Sequence, residues 1–357
     1  MRNYSLISIR SFFSILLVVL AACVPPTAPP PPTATVPAPA SMDWIAIHFT
    51  DPYAPGARDY EGGPDEALAE AIDSAVLTVD VAVYSFNLWS IRNALLRAYH
   101  RGVVVRMVIE SDNCNRDEVQ ALIEAGIPVL GDRMEGLMHD KFVVIDRAEV
   151  WIGSMNFTTG GAYRDDNNLV RIRSIQVAEN YTHEFDEMFI GDHFGSDIVP
   201  DTPHPDLTIN GTRIQTLFSP DDGVAARLLE LLANAQESIH FMAFSFTSDE
   251  LGEAIRERAQ TGILVSGVME AEQVRSNQGT EYDPFLQAGL DIRLDGNSDL
   301  MHHKVIIIDR SIVVTGSYNF SRSAEENNDE NVVIIYSPEV ATTYLVEFQR
   351  VYGWSNE

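Results

Sequence analysis

Two stretches of the chain, Met138-His139-Asp140-Lys141 and Met301-His302-His303-Lys304, carry a histidine and a lysine two residues apart. Four apolar residues and an aspartate follow each lysine, which adds Asp146 to one copy and Asp309 to the other. Further on both copies read Gly-Ser-x-Asn, as Gly153-Ser154-Met155-Asn156 and Gly316-Ser317-Tyr318-Asn319, and every one of these positions is offset by 163 residues. The pooled inventory is two imidazoles, two fixed cations and several hydroxyl and amide donors, with few acidic ligands to suit a metal. Imidazole titrates near neutrality, so one copy can act as a nucleophile and the other as a general acid. Lysine and asparagine can stabilise negative charge that builds on oxygen during group transfer. Phosphodiester chemistry fits this set.

The elements that must position these groups follow from side-chain periodicity. Residues two apart on a strand share a face, so His139 and Lys141 point the same way, as do His302 and Lys304. The runs Phe142–Ile145 and Val305–Ile308 are apolar on both faces, as buried strands require, and Asp146-Arg147 and Asp309-Arg310 supply turns into returning strands. A turn centred between Arg147 and Ala148 would set Lys141 opposite Ser154 and His139 opposite Asn156. The second copy would set Lys304 opposite Ser317 and His302 opposite Asn319.

Around the hairpins, apolar strands alternate with amphipathic helices. Strands are expected over 77–86 and 103–109 and helices over 88–100 and 116–125. In the second copy, helices over 224–235 and 248–260 interleave with strands over 238–246 and 263–269. Val83-Tyr84-Ser85-Phe86 matches Ala243-Phe244-Ser245-Phe246, and Asn167-Asn168 lies where Glu330-Asn331 lies. Such alternation implies an α/β fold of two related α/β/α sandwich halves. The first half is placed at 42–198, a connecting loop at 199–211 and the second half at 212–357.

His-x-Lys-x4-Asp-x6-Gly-Ser-x-Asn, twice in one chain, resembles the phospholipase D superfamily over nearly everything after residue 42. The resemblance implies one pseudo-twofold active site shared between the halves. One histidine would form a phosphohistidine, and the other would protonate the leaving alcohol and later activate water. It implies further that Lys141, Lys304, Asn156 and Asn319 hold the phosphate and that no cofactor or metal is needed. Ser154 and Ser317 either donate to phosphate or close the hairpin. Asp146 and Asp309 complete the catalytic motif but support structure more than they react. Glu330 matches a carboxylate that orients a histidine, and the first copy departs from the pattern with Asn167, where Asp165 or Asp166 could substitute.

At the N-terminus, Arg2 and Arg10 precede an apolar run from Phe12 to Leu20, which reads as a signal peptide over 1–22. Leu20-Ala21-Ala22-Cys23 resembles a bacterial lipobox, making Cys23 the expected lipidation site. Residues 24–41 hold eight prolines and read as an extended tether. The expected localisation is therefore extracytoplasmic, as a monomeric lipoprotein held at a cell-envelope membrane. The formal charge of −28 disfavours nucleic acid as a partner, because phosphate neutralisation dominates such affinity. A phospholipid or other phosphodiester is the expected substrate. An extracytoplasmic nuclease, a cardiolipin-synthase-like transphosphatidylase and a non-catalytic phosphate-binding module are the alternatives. His183 and His193, close to Glu184, Asp186 and Glu187, are read as the solvated acidic face of a helix, not as metal ligands.

Overall fold

A computed structural model describes residues 43–133, 136–195 and 200–355. The expected signal peptide, Cys23 and the tether lie outside the described residues. The first half runs β1 (Ile45–Phe49), α1 (Pro64–Ser74), β2 (Thr78–Val83), α2 (Trp89–His100), β3 (Val104–Ile109), α3 (Asp117–Glu124) and β4 (Val129–Gly131). It continues with β5 (Lys141–Ile145), β6 (Glu149–Gly153), α4 (Thr159–Tyr163), β7 (Asn168–Arg173) and α5 (Ile175–Phe189).

The second half begins with β8 (Asp206–Ile209), β9 (Thr212–Ser219), α6 (Val224–Ala233), β10 (Ser238–Ala243), α7 (Asp249–Gln260) and β11 (Leu264–Met269). Then come α8 (Ala271–Ser276), α9 (Tyr282–Gln287), β12 (Asp291–Leu294), β13 (Lys304–Ile308), β14 (Ile312–Gly316), α10 (Arg322–Glu326), β15 (Glu330–Tyr336) and α11 (Pro338–Trp354). Most of the expected elements are found with ends shifted by one to three residues. Residues 199–211, expected as a loop, contain β8, which pairs antiparallel with β9 around the Asn210-Gly211 turn.

Each half is built on one mixed sheet. The strand order is β1-β7-β6-β5-β2-β3-β4 in the first and β12-β11-β10-β13-β14-β15-β9-β8 in the second. In both, the strand carrying the motif lysine lies antiparallel to a β-strand that is itself parallel to the next one. Helices α1 and α2 cover the outer face of the first sheet through Leu68, Ile72, Ile91 and Leu95, and the second half repeats this with Leu228, Leu232, Leu251 and Ile255. The inner faces share a single apolar cluster that joins Phe142, Val144 and Ile152 to Val305, Ile307 and Val313. Tyr181 and Phe185 of α5 and Tyr344 and Phe348 of α11 are part of it.

The hairpin register departs from expectation by one residue. Phe142 pairs with Ile152 and Ile145 with Glu149, so Lys141 falls opposite Gly153, not Ser154. Ile306 pairs with Val314, which sets Lys304 opposite Gly316. The cause is a tight turn: Asp146 (φ 53°) and Arg147 (φ 52°) are both left-handed, and Ala148 N–H donates to Ile145 O. Asp309, Arg310 and Ser311 repeat that geometry. Because the side-chain period of a strand is two, a single-residue slip changes which side chains share a face.

Candidate active site

The ends of the motif strands meet across the seam by backbone pairing. Met138 bridges Asp329, and Asp166 bridges Met301. His139 N–H donates to Asp329 O at 3.0 Å, and His302 N–H donates to Asp166 O at 2.9 Å. Since 138 and 301, like 166 and 329, are one repeat apart, each half holds the other's histidine segment in the same way. Side chains reinforce this exchange. Asn168 Nδ2 donates to Tyr344 Oη at 2.6 Å, and Tyr181 Oη donates to Asn331 Oδ1 at 3.2 Å.

The imidazoles are oriented by reciprocal partners of unlike chemistry. His139 Nδ1 lies 2.8 Å from Glu330 Oε2 of the second half. His302 Nδ1 lies 2.9 Å from Asn167 Oδ1 of the first half and 3.1 Å from Ser154 O. Asn167 Nδ2 donates to Gly161 O, which fixes the amide and leaves Oδ1 facing the ring. Asn167 thus supports the ring itself. Asp166 does not substitute for it, being bound to Arg350 and Asn297 with its side chain facing away, while Asp165 acts on Lys304 by its charge.

Both lysines are buried beneath the histidines. Lys141 Nζ donates to His139 O at 2.5 Å, and Lys304 Nζ donates to His302 O at 2.9 Å and lies 3.2 Å from His302 Nε2. Tyr84 meets the His139 ring edge-on at 5.1 Å, and Phe244 meets His302 in the same way at 4.5 Å. These aromatics stand at equivalent strand ends.

Electrostatics show how close the two clusters lie. Burial, then Lys141, then Lys304 hold the His139 imidazole well below its ordinary pKa. Burial, Lys304, Lys141 and His139 do the same to His302. Burial lowers Lys141 to about 8, although Glu330 and Asp140 oppose it. Burial lifts Glu330 to about 7 against the pull of Lys141. Four basic groups crowded into one desolvated place favour a bound anion, whose charge would offset each of these penalties.

The other expected site residues are placed as follows. Asp146 and Asp309 are not at the site. They sit at the far ends of β5 and β13, about 16 Å along the strand from the lysines. Asp146 accepts the backbone N–H groups of Val76, Leu77 and Thr78, and Asp309 those of Gln236, Glu237 and Ser238. Their work is to clamp the entry to β2 and β10. Ser154 and Ser317 are fully buried. Ser154 Oγ donates to Asn167 Oδ1 and accepts from Asn168 N–H, and Ser317 Oγ accepts from Asn331 N–H. Asn156 and Asn319 are half-buried, and their Oδ1 atoms have no hydrogen-bond partner among the described residues. Gly153 and Gly316 are required because a β-carbon would collide with the carbonyl oxygens of Asn168 and Asn331.

His303 faces away from the site, bonded through Nε2 to Glu347 Oε1 at 2.9 Å. The helical acidic face is also less solvated than expected. Glu184 is buried against the seam core because α5 packs between the sheet and its neighbours, and Asp186 pairs with Arg106.

The sequence profile described as "Cardiolipin synthase, PLD-like domain" matches residues 68–189 and 228–352. A "Mitochondrial cardiolipin hydrolase" of Mus musculus is 34% identical over 127 residues, which cover 36% of this chain and 57% of that protein. A "Phospholipase D" of Rickettsia typhi is 30% identical over 132 residues, covering 37% and 64%. The chain therefore spans less than two thirds of the length of either relative. A phosphatidylserine synthase structure from Haemophilus influenzae superposes with a TM-score of 0.64 at 14% identity, covering 87% of this chain and 89% of that one, and so shares the fold. With the profile matched once in each half, over the segments that carry the two motifs, the chain belongs to the phospholipase D superfamily.

Proposed function

We propose that the chain is a phospholipase D-type phosphodiesterase that hydrolyses phospholipid phosphodiester bonds through a phosphohistidine. The reading rests on one observation: two His/Lys pairs, each oriented from the opposite half, share one buried basic cluster. Where Glu330 is ionised, His139 Nδ1–H donates to it and the lone pair at Nε2 is free to attack. Asn167 is neutral and gives His302 no such push, which assigns attack to His139 and proton transfer to His302.

In the first step His139 Nε2 bonds to phosphorus and the P–O bond to the alcohol breaks as His302 delivers a proton to the departing oxygen. In the second, His302 takes a proton from water, the water oxygen bonds to phosphorus and the P–N bond breaks. The phosphomonoester leaves and both rings return to their starting states. Lys141 and Lys304 stabilise the charge on the equatorial oxygens, and Asn156 and Asn319 would add amide donors. A lipid-anchored, extracytoplasmic location would keep such an enzyme next to its substrate, and the expected lipobox at Cys23 motivates that part of the reading.

An activated substrate separates the two roles. With bis(p-nitrophenyl) phosphate, whose leaving group needs no acid, His302→Ala should accumulate phosphohistidine at His139, whereas His139→Ala should form none and lose more than about 10⁴-fold in turnover. Intact-protein mass spectrometry reads the adduct. An adduct on His302 would reverse the assignment. Failure of the wild type to release headgroup alcohol from any phospholipid, with cleavage of DNA or RNA instead, would overturn the substrate class.

A further inference from the structure

Exposed aromatic rings gather on one side of the molecule. Among the described residues four aromatic side chains stand open to solvent: Tyr53 at 45%, Tyr60 at 47%, Trp89 at 53% and Trp354 at 58%. All four belong to one strip. Trp354 stacks on Tyr53 with ring centroids 4.9 Å apart, and Tyr60 meets Trp89 edge-on at 6.0 Å. Tyr53 and Tyr60 line a single cavity of about 270 Å³, which joins the two pairs.

The strip borders the seam at both of its ends. Near Tyr53, whose Oη reaches Gly296 O, Asn297 Nδ2 donates to Asp166 Oδ2 at 2.9 Å, and Asp166 O accepts the His302 N–H. Near Trp89, the N–H groups of Asn87 and Leu88 both donate to Phe157 O, the residue after Asn156. Exposed aliphatic side chains also occur at the far end of the sheets. Val104 pairs with Thr78 and Leu264 with Ser238, whereas the motif lysines lie opposite Val83 and Ala243.

Tryptophan and tyrosine favour a boundary that is apolar on one side and wet on the other, which the headgroup layer of a bilayer supplies. The polar groups between the rings narrow the kind of bilayer. Arg58 and Arg164 line the cavity together with Asp299, so both signs of charge are offered in one place. A headgroup that joins a phosphate to an amine finds partners there for each. An anionic surface would be repelled by a chain of formal charge −28.

We propose that this strip is the surface by which the chain settles on an electrically neutral phospholipid bilayer, with Trp89 and Trp354 in the headgroup layer. It rests on the phospholipid reading of the seam and adds how the chain reaches a substrate held in a membrane.

Vesicles of phosphatidylcholine brominated on its acyl chains test this, because bromine quenches only tryptophans that reach the bilayer. Trp44 and Trp151, the other two of the four tryptophans, are buried, so the signal reports on Trp89 and Trp354. The full-length wild type should be quenched, and joint Trp89→Phe and Trp354→Phe should abolish the quenching. Joint Trp89→Ser and Trp354→Ser should slow headgroup release from phosphatidylcholine vesicles by at least about tenfold, while turnover of soluble bis(p-nitrophenyl) phosphate stays within about twofold. Val104→Ser with Leu264→Ser, at the far end, should leave both rates unchanged. Exchange of half the lipid for phosphatidylglycerol should weaken the quenching. An unquenched wild type, or stronger quenching on the anionic vesicles, would overturn the proposal. Quenching without headgroup release, even from detergent-dispersed lipid, would instead remove the phospholipid reading and leave the docking surface in place.

Discussion

In the first half, the residue after His139 is Asp140, which turns into the seam core and accepts from Asn331 Nδ2 at 2.6 Å. In the second half the same strand position is His303, bonded to Glu347, which Arg350 also holds at 2.6 Å. Helices α5 and α11 offer equivalent carboxyls, Glu184 and Glu347, but their environments push them apart. Burial would raise Glu347, yet Arg350 and His303 overcome it and hold it down to about 2. Burial and then Asp140 push Glu184 well above the ordinary range. Arg350 also reaches across the seam to Asp166, whereas the equivalent Asp329 is met by a backbone N–H from Gly195. One scaffold therefore packs a fixed ion cluster on one side and protonated acids on the other. The histidines that face the seam stayed alike while the residues behind them diverged, which makes the two rings chemically unequal.

Arg350→Met should break this comparison most severely. It leaves Glu347 and Asp166 buried without their cation, and removal of one partner from such a cluster costs about 3–5 kcal/mol. Urea denaturation at neutral pH should show that loss, while Glu184→Gln, which replaces a neutral acid by its isostere, should change stability by less than about 1 kcal/mol.

The unlike partners of the histidines give the next effect. In the wild type kcat/KM should rise as Glu330 ionises near 7 and fall as Lys141 loses its proton near 8. Glu330→Gln should lower kcat/KM by about a hundredfold and remove the rising limb, because the amide cannot gain the charge that holds the imidazolium developing on His139. Asn167→Asp should alter the rate less than about tenfold and keep that limb. Equal losses from both variants would remove the asymmetry on which His139 is assigned to attack.

A pH slope in stability is the smallest expected effect. Burial raises Asp140 to about 7, so the folded chain keeps a proton that the unfolded chain releases near 3.8. The stability from this group is full below the unfolded value and is lost as pH rises through the folded one. Asp140→Asn should flatten that decline between pH 4 and 7, measured as the difference in urea midpoint from the wild type. An unchanged slope would place Asp140 outside the titrating set.

Local patterns made much of this readable from residues alone. The strand alternation around His139-x-Lys141, the helices ended by Gly102, Gly126 and Gly262, and the repeat itself are all short-range signals. The hairpin register was not readable, because Asp146-Arg147 and Asp309-Arg310 take left-handed conformations that sequence assigns more readily to glycine or asparagine. Asn167 was passed over in favour of its acidic neighbours. A carboxylate looks the better partner for imidazole, but alternation along the chain turns Asp166 to the other face. The reciprocal bonds of Asn168 with Tyr344 and of Asn331 with Tyr181 join residues more than a hundred positions apart and leave no periodic trace. Their equal spacing in the two repeats was the one available hint.

The bond between His139 and Glu330 spans 191 residues. A ribosome therefore completes the first sheet, with Lys141 on β5, long before the groups exist that pair with the His139 segment and aim its ring. On the proposed mechanism the nascent first half would be inert, and a truncated product ending before β15 would be equally so. The proposed activity would therefore arrive only with the docking of β15.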